Sequence, residues 1–167
     1  MVKKLVLAAL AVGLTVPVAA PAMAGDAPKA EKLAGADIQL PEPPEGMGQI
    51  VFFRTGGSGG AMGCSVNENG EKVSSLGANR YFVMQTTPGR HEFSVKSEAK
   101  DMLALEVEEG ETQYVACKIK MGILVGRPDI APANEADFRK AKKLRMVDAD
   151  DMGPAPGAVR PEEVAAP

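Results

Sequence analysis

The sequence has no tryptophan, two tyrosines and five phenylalanines among 167 residues. Proteins that bind single-stranded nucleic acids or sugars commonly stack them on aromatic side chains, so this scarcity argues against both kinds of ligand. The core must be built largely from aliphatic side chains and methionines. Met62, Met84, Met102 and Met121 fall at strand positions, which indicates core filling in preference to a copper(I) site.

Histidine is almost absent, since His91 is the only one. One imidazole and two cysteines make a poor tetrahedral zinc set, so no metal site is predicted. A structural histidine is expected where His91 begins a predicted strand. The competing hypothesis is a hydrolase in which His91 activates a nucleophile. The sequence shows no convergent set of titratable residues, so we predict no enzymatic activity, no catalytic residues and no cofactor.

The two cysteines, Cys64 and Cys117, lie on the apolar faces of two predicted strands. In an oxidising compartment such a pair suggests a disulfide bond. The bond would close a loop of about 53 residues and stabilise the fold by roughly 4 kcal/mol. The alternative is two separate buried thiols that pack as small hydrophobic groups. No Cys-x-x-Cys motif is present to lower a thiol pKa, which disfavours a catalytic cysteine.

Long apolar runs are missing except at the N-terminus. Residues 1–24 combine a positively charged start, an apolar run and a small-residue site ending at Ala24, the pattern of a secretory signal peptide. The run is shorter than the ~20 residues of a membrane span, and no lipid-acceptor cysteine follows it. We therefore predict a secreted protein, periplasmic in a Gram-negative cell, without a transmembrane anchor in its mature form.

The charge balance bears on the partner. The full chain has 19 basic and 22 acidic residues and a formal net charge of −3. Cleavage of the leader removes Lys3 and Lys4 and makes the mature protein more acidic. Such a protein has no overall basic field to attract nucleic acid. The expected partner is an envelope protein or polymer of unknown identity.

Composition divides the mature chain into three parts. Residues 25–47 are rich in Pro, Gly, Ala and charge, and predict a flexible tether. Residues 48–146 form the folded domain. Residues 147–167 have the composition of a disordered tail. Asp148, Asp150 and Asp151 in this tail resemble the start of a calcium loop but lack its later ligands.

Alternation of apolar and polar residues predicts seven short strands. They cover residues 49–54, 62–66, 71–75, 80–86, 91–97, 103–107 and 111–121. Turn residues separate them, including the Asn69-Gly70 pair that favours a tight hairpin. No interleaved helices are available for parallel crossovers. We therefore predict an all-β fold, an antiparallel seven-stranded β-sandwich with residues 111–121 as its central strand.

One short C-terminal helix is predicted, capped by Asn134 and ending near Arg145. Its apolar stripe contains Phe138, Ala141 and Leu144. Five basic residues lie between Arg139 and Arg145. They match either a solvent-exposed face that complements the helix dipole or a surface for an anionic partner.

The glycine-rich loop 56–60 begins at Gly56 and ends at Gly60. It lacks the Lys-Ser/Thr pair and the helix that follow a phosphate-binding loop, which favours a plain connector. Arg90 and Arg127 are the candidate ligand-binding residues. Each guanidinium either locks carbonyl groups at the end of a strand or holds an anionic ligand. A small anionic-ligand-binding protein that uses this loop with Arg90 or Arg127 is therefore the alternative function.

Several phrases resemble a known bacterial family. They are the Asn69-Gly70 turn with Tyr81-Phe82-Val83, then Pro88-Gly89-Arg90-His91, and Met121-Gly122 followed by Gly126-Arg127-Pro128. They are similar to the bacterial domain-of-unknown-function family 2846, many of whose members are described as lipoproteins. The resemblance covers about residues 48–144. It implies a transthyretin-like β-sandwich without an established activity. We expect a secreted binding or structural accessory module of the cell envelope.

Overall fold

The computed structural model describes residues 31–57, 62–95, 102–121 and 126–164. The predicted signal peptide lies outside them. The strands of the described residues are β1 Gly48–Arg54, β2 Cys64–Glu68, β3 Glu71–Leu76, β4 Arg80–Thr86, β5 Gly89–Val95, β6 Met102–Val107, β7 Thr112–Met121, β8 Gly126–Ala133 and β9 Arg145–Met146. The helices are α1 Glu135–Arg139 and α2 Pro161–Val164, with 3-10 helices at Gly35–Asp37 and Ala149–Asp151. None of these helices is long and apolar enough to cross a membrane.

The strands form two sheets that pack face to face as a β-sandwich. One sheet has the strand order β8-β7-β1-β4-β9 and the other the order β3-β2-β5-β6. Both contribute fully buried residues to one core, among them Ile50, Phe52, Val66, Phe82 and Phe93. Phe52 stacks on Phe82 with ring centroids 4.8 Å apart and meets Phe93 edge-on at 5.0 Å. The predicted all-β sandwich is confirmed at this level.

The number and direction of the strands differ from the prediction. Within the described residues β8 and β9 add to the seven predicted strands, and the five-stranded sheet is mixed. β1 pairs in parallel with β7, and β4 with β9. Parallel pairing is possible because five strands separate β1 from β7 along the chain, which gives a long crossover. The middle strand is β1, not β7, and all of its residues are buried.

Strand β8 shows where the pattern misled the prediction. Pro128 and Pro132 lie inside it, opposite Ile119 and Val115 of β7. Proline normally excludes a central strand, and none of the seven predicted strands covers these residues. An edge strand tolerates proline because one of its sides needs no N–H donors. β8 pairs with β7 alone, so its prolines are accommodated.

A disulfide bond joins the two sheets through the core. Cys64 of β2 and Cys117 of β7 are bonded, with their Cα atoms 6.6 Å apart. Both cysteine side chains are buried. The alternation of β7 predicts this for Cys117, as it does for Val115. The next residue, Lys118, is exposed. The predicted Cys64–Cys117 pairing is confirmed.

Both flanks of the domain pack on the outer face of the five-stranded sheet, where we expected a tether and a disordered tail. Ile38 from the N-terminal flank and Val159 from the C-terminal flank are buried there. They join a second core cluster that includes Val51, Phe53 and Phe138. The physical reason lies in β1, because Val51 and Phe53 make its second face apolar and that face needs a cover.

The C-terminal flank also forms backbone hydrogen bonds to β3 and β4 on one side of the sandwich. The N–H groups of Gly153 and Ala155 donate to Val73 and Lys72 of β3, at 2.8 and 3.1 Å. The N–H group of Val159 then donates to Val83 of β4 at 2.9 Å. A Cβ atom on Gly153 would lie 1.9 Å from the Lys72 oxygen, so only glycine permits this approach.

The predicted N-cap of the C-terminal helix is present, but the helix is shorter than expected. The Asn134 Oδ1 atom accepts a hydrogen bond from the Asp137 N–H at 2.9 Å. Helix α1 nevertheless ends at Arg139, about one and a half turns after it starts. Its half-buried Arg139 donates to the carbonyl groups of Gly35 and Ile38, at 3.2 and 2.6 Å.

The N-terminal flank explains this early end. The Gly35 N–H donates to the Ala141 oxygen at 2.7 Å, and Leu33 and Leu144 exchange two hydrogen bonds of 2.8 and 2.7 Å. These bonds hold residues 141–144 in a non-helical path. Ala141 and Leu144 remain buried as the apolar stripe predicts, while Arg145 starts β9.

Candidate functional site

A pocket of about 410 Å³ opens where β1 ends and β4 begins. We call it the lysine pocket; it is lined by Thr55, Gly56, Asn79, Lys140, Ala141, Lys142 and Lys143. Sites for small ligands typically span ~300–1,000 Å³. The three lysines are exposed, and no carboxylate in the described part of the chain forms an ion pair with them. Three lysine side chains therefore contribute to a mostly apolar lining and place positive charge near the pocket.

The path of residues 140–144 places the lysines at the pocket. Ala141 and Leu144 turn inward and are buried, so Lys140, Lys142 and Lys143 remain on the outside. The backbone bonds to the N-terminal flank fix this path. The lysines are consequently presented by a segment that is anchored at two of its five residues.

The other wall of the pocket is small and polar. A Cβ atom built on Gly56 would lie 2.9 Å from the Asn79 Oδ1 atom, so the amide packs directly on the glycine. Asn79 has a φ of 58°, a left-handed conformation that asparagine tolerates better than most residues. Its carbonyl oxygen accepts a hydrogen bond from the Arg145 N–H at 3.0 Å. The turn before β4 is thereby tied to β9.

Three arginines lie beside the pocket on neighbouring strands. Arg54 is opposite Arg80, and Arg80 is opposite Arg145. Arg54 is buried and donates to the carbonyl groups of Met62 and Leu76. Burial lowers the pKa of the Arg54 guanidinium. This side chain closes the end of the core and adds positive charge behind the pocket.

The two other arginines share one carboxylate. Asp148 Oδ2 lies 3.2 Å from Arg80 Nη1 and 3.1 Å from Arg145 Nη2. Asp148, Asp150 and Asp151 hold carboxylate oxygens within 4.8 Å of one another. Because Asp148 is engaged by two guanidinium groups, the cluster works as an anchor for the arginines and makes a poor calcium site.

The arginines proposed from the sequence do not converge. Arg127 is the second residue of β8 and lies opposite Lys120, at the end of the sandwich that carries the lysine pocket. Arg90 lies at the other end, where β5 begins and β6 ends, and its exposed guanidinium binds Glu92 at 3.1 Å. Gly56 lines the lysine pocket, whereas residues 58–61 of the glycine loop lie outside the described residues. Neither arginine lines the pocket.

The lysines were detectable in the sequence only as a cluster. The five basic residues between Arg139 and Arg145 matched a surface for an anionic partner as well as a dipole-matched helix face. Helix α1 ends before four of the five, so the dipole interpretation loses its basis for them. Gly56 belongs to the glycine loop of the predicted alternative site, whereas the contribution of Thr55 and Asn79 had no signal in the sequence.

His91 is surrounded by acceptors. Its Nδ1 atom lies 2.6 Å from Glu68 Oε1, and its Nε2 atom lies 2.9 Å from the Thr87 carbonyl oxygen. The Thr86 hydroxyl is 3.3 Å from Nε2, which superficially resembles a carboxylate-imidazole-hydroxyl set. A carbonyl oxygen only accepts, so Nε2 donates to Thr87 and has no lone pair to take a proton from Thr86. The geometry favours a structural tie between the β2–β3 hairpin and the β4–β5 turn.

Replacement of His91 by alanine is expected to lower the free energy of unfolding by about 1–3 kcal/mol, because Glu68 is left buried without its partner. Urea denaturation measures the change. In a double-mutant cycle with Glu68→Ala, the glutamate substitution should cost less in the His91→Ala background than in the wild type. Equal costs in both backgrounds would show that the contact contributes nothing.

A family model with the description "Protein of unknown function (DUF2846)" matches residues 44–128 of the chain. The chain belongs to the DUF2846 family. The matched part runs from just before β1 into the first residues of β8. The lysine pocket therefore combines Thr55, Gly56 and Asn79 of the DUF2846 region with residues 140–143, which follow it. No curated protein and no solved structure matches the chain.

The end of the DUF2846 sandwich opposite the lysine pocket is acidic. It carries five glutamates, Glu42, Glu45, Glu108, Glu109 and Glu111. Backbone contacts bring their two segments together: the Gly110 N–H donates to the Met47 oxygen at 2.9 Å, and the Gly46 N–H to Glu109 Oε1 at 3.0 Å. The DUF2846 domain of this chain therefore separates its charges along β1.

Proposed function

We propose that this protein is a non-enzymatic binding module of the cell envelope that holds an anionic group of its partner in the lysine pocket. The observation that carries the proposal is that Lys140, Lys142 and Lys143 all line one pocket of about 410 Å³. The sequence pattern of residues 1–24 supports export to the periplasm. The Cys64–Cys117 disulfide supports it too, because such bonds persist in oxidising compartments.

The chemistry of the pocket suits a compact anion. Lysine ammonium groups are point charges on flexible stems, which serve phosphate or carboxylate groups without demanding a planar, bidentate geometry. The positive charge of the arginines beside the pocket is offset by Asp148, Asp150 and Asp151, so the lysines supply the attraction. A nucleic acid is not the proposed ligand, because the chain has few aromatic side chains for stacking and a negative net charge.

The proposed ligand is anionic, as in the alternative function predicted from the sequence, but it binds at a different site. Gly56 remains a wall of the pocket, while the lysines take the place of Arg90 and Arg127. A hydrolase centred on His91 is less well supported, because the Nε2 atom is committed to Thr87. Binding without turnover is the function that this geometry favours.

The triple variant Lys140→Gln/Lys142→Gln/Lys143→Gln is expected to bind inorganic phosphate at least about tenfold more weakly than the wild type, a loss of ~1.4 kcal/mol. The physical reason is the loss of three charges that face one site. Titration followed by backbone NMR measures the affinity, with the amides of Thr55, Gly56 and Asn79 as reporters.

Lys118→Gln is the control for this measurement. Lys118 is an exposed lysine of β7 that does not line the pocket, so its replacement should leave phosphate binding nearly unchanged. Equal losses in the control and the triple variant would indicate a diffuse charge effect. Phosphate-induced shifts that avoid the three reporter amides would place the site elsewhere and overturn the proposal.

A further inference from the structure

The two ends of the sandwich are separated along the direction of β1, and they carry opposite charge. β1 starts beside the acidic turns and ends beside the lysine pocket, and its six steps span ~20 Å. β7 pairs in parallel with β1 and extends further, so Lys118 and Lys120 lie beyond Arg54 in the same direction. We name the two regions the acidic end and the basic end.

The basic end contains charged residues of both signs, with the basic ones in excess. Its basic residues are Arg54, Arg80, Lys118, Lys120, Arg127, Lys140, Lys142, Lys143 and Arg145. The aspartates among them are Asp129, Asp148, Asp150 and Asp151. Asp129 binds Lys120 at 2.8 Å, and Asp148 binds Arg80 and Arg145. The lysine pocket is left as the strongest concentration of cationic groups without carboxylate partners in the described residues.

The acidic end is rich in glutamates that hydrogen bonds hold in place, and it also contains Arg90, whose guanidinium binds Glu92. Residues 41–47 and 107–112 contain no lysine or arginine. Glu109 accepts from the Gly46 N–H, and Glu111 Oε2 accepts from the Glu108 N–H at 2.9 Å. Glu42 and Glu45 flank the Pro43-Pro44 pair, which restricts the backbone between them. A rigid group of glutamates loses little conformational entropy on meeting a cationic surface.

We propose that the acidic end of one copy docks on the basic end of a second copy, so that molecules associate head to tail. The inference rests on the lysine pocket of the proposed function, with the neighbouring copy's glutamates as the anionic groups. An end-on two-fold contact would set like charges against each other, whereas a head-to-tail contact pairs opposite ones. Such heterologous contacts propagate into rings or filaments.

The association depends on salt. The Debye length is ~30 Å at 0.01 M ionic strength and ~3 Å at 1 M, so exposed charges attract over the scale of the two ends only at low salt. In sedimentation velocity at about 0.01 M salt, the weight-average sedimentation coefficient should rise with protein concentration. At about 1 M salt it should be independent of concentration. A wild-type coefficient that stays constant at low salt overturns the proposal.

Charge reversal supplies the decisive test. One variant carries Glu42→Lys, Glu45→Lys and Glu108→Lys, and the other carries Lys140→Glu, Lys142→Glu and Lys143→Glu. Each variant alone has two ends of one sign and should stay monomeric at low salt. An equimolar mixture should regain association, because the two variants present complementary ends. A mixture that sediments as monomers refutes the head-to-tail contact.

Two controls keep the outcomes separate. Glu162→Lys/Glu163→Lys changes charge on α2, outside the acidic end, and should leave the association intact; its loss there would count against the proposal. Thermal unfolding and near-UV circular dichroism verify that every variant is folded. If the wild type stays monomeric while the glutamine variant loses phosphate binding, the head-to-tail inference fails and the proposed function stands. If the mixture associates while phosphate does not bind the wild type, the proposed function fails and the head-to-tail inference stands.

Discussion

Removal of the inter-sheet disulfide by Cys64→Ala/Cys117→Ala is expected to lower the free energy of unfolding by about 4 kcal/mol. The two cysteines are 53 residues apart in the sequence, and without the bond the unfolded chain regains the entropy of that loop. Both sulfur atoms also leave buried positions, which adds a packing cost in the folded state. Urea denaturation under non-reducing conditions measures the difference.

Reductant provides the matched control for this variant. Wild-type protein unfolded and refolded with a thiol-free reductant should approach the stability of the double variant, whereas the double variant itself should not respond. A double variant within about 1 kcal/mol of the wild type would mean that the unfolded chain keeps Cys64 and Cys117 close without the bond. The chain-entropy account would then be wrong for this protein.

Phe138→Ala is expected to destabilise the protein by about 3–5 kcal/mol, the usual cost of truncating a buried phenylalanine. Phe138 is 0% exposed. Its ring centroid lies 5.5 Å from that of Phe53, 5.7 Å from that of Tyr81 and 5.8 Å from that of Tyr114. The side chain therefore holds the outer layer on β1, β4 and β7. Urea denaturation and amide hydrogen exchange of residues 33–35 and 141–144 report the loss.

Met102→Ala is the control for an apolar truncation. Met102 is 64% exposed, so its removal should change stability by no more than about 0.5 kcal/mol. If Phe138→Ala has an effect as small as this, the flanks are not part of the cooperative unit and the outer layer contributes little. A large loss shared by the whole domain supports one cooperative core on both faces of the sheet.

The inner sandwich could be predicted from the sequence because its elements are specified by residues that are close together in the chain. The alternation through Val115, Cys117 and Lys118 assigned the faces of β7, and the same faces made the disulfide with Cys64 a natural hypothesis. Asn134 indicated the start of α1, because its side chain can accept a hydrogen bond from the first turn of a helix. Each of these signals is carried by residues within a few positions of one another.

The outer layer was predicted only in its apolar stripe of Phe138, Ala141 and Leu144, because the other residues of this layer are scattered along the chain. Ile38 has only Leu40 at strand spacing and Val159 stands alone, and each is explained only by the sheet face that it covers. One clue was present: residues 49–54 are apolar at consecutive positions, and a strand buried on both faces requires two covers. The walls of the lysine pocket are likewise scattered, with Gly56, Asn79 and Lys142 supplied by three separate segments.

The hydrogen bonds from Gly153, Ala155 and Val159 to β3 and β4 have a consequence for the order of folding. Each bond joins residues that lie far apart in the sequence, so a long loop must close before the bond can form. Contacts of this kind slow folding, because the entropy of the loop is lost before the contact stabilises the structure. Until the C-terminal flank docks, the borders of β3 and β4 stay open to pairing with other chains.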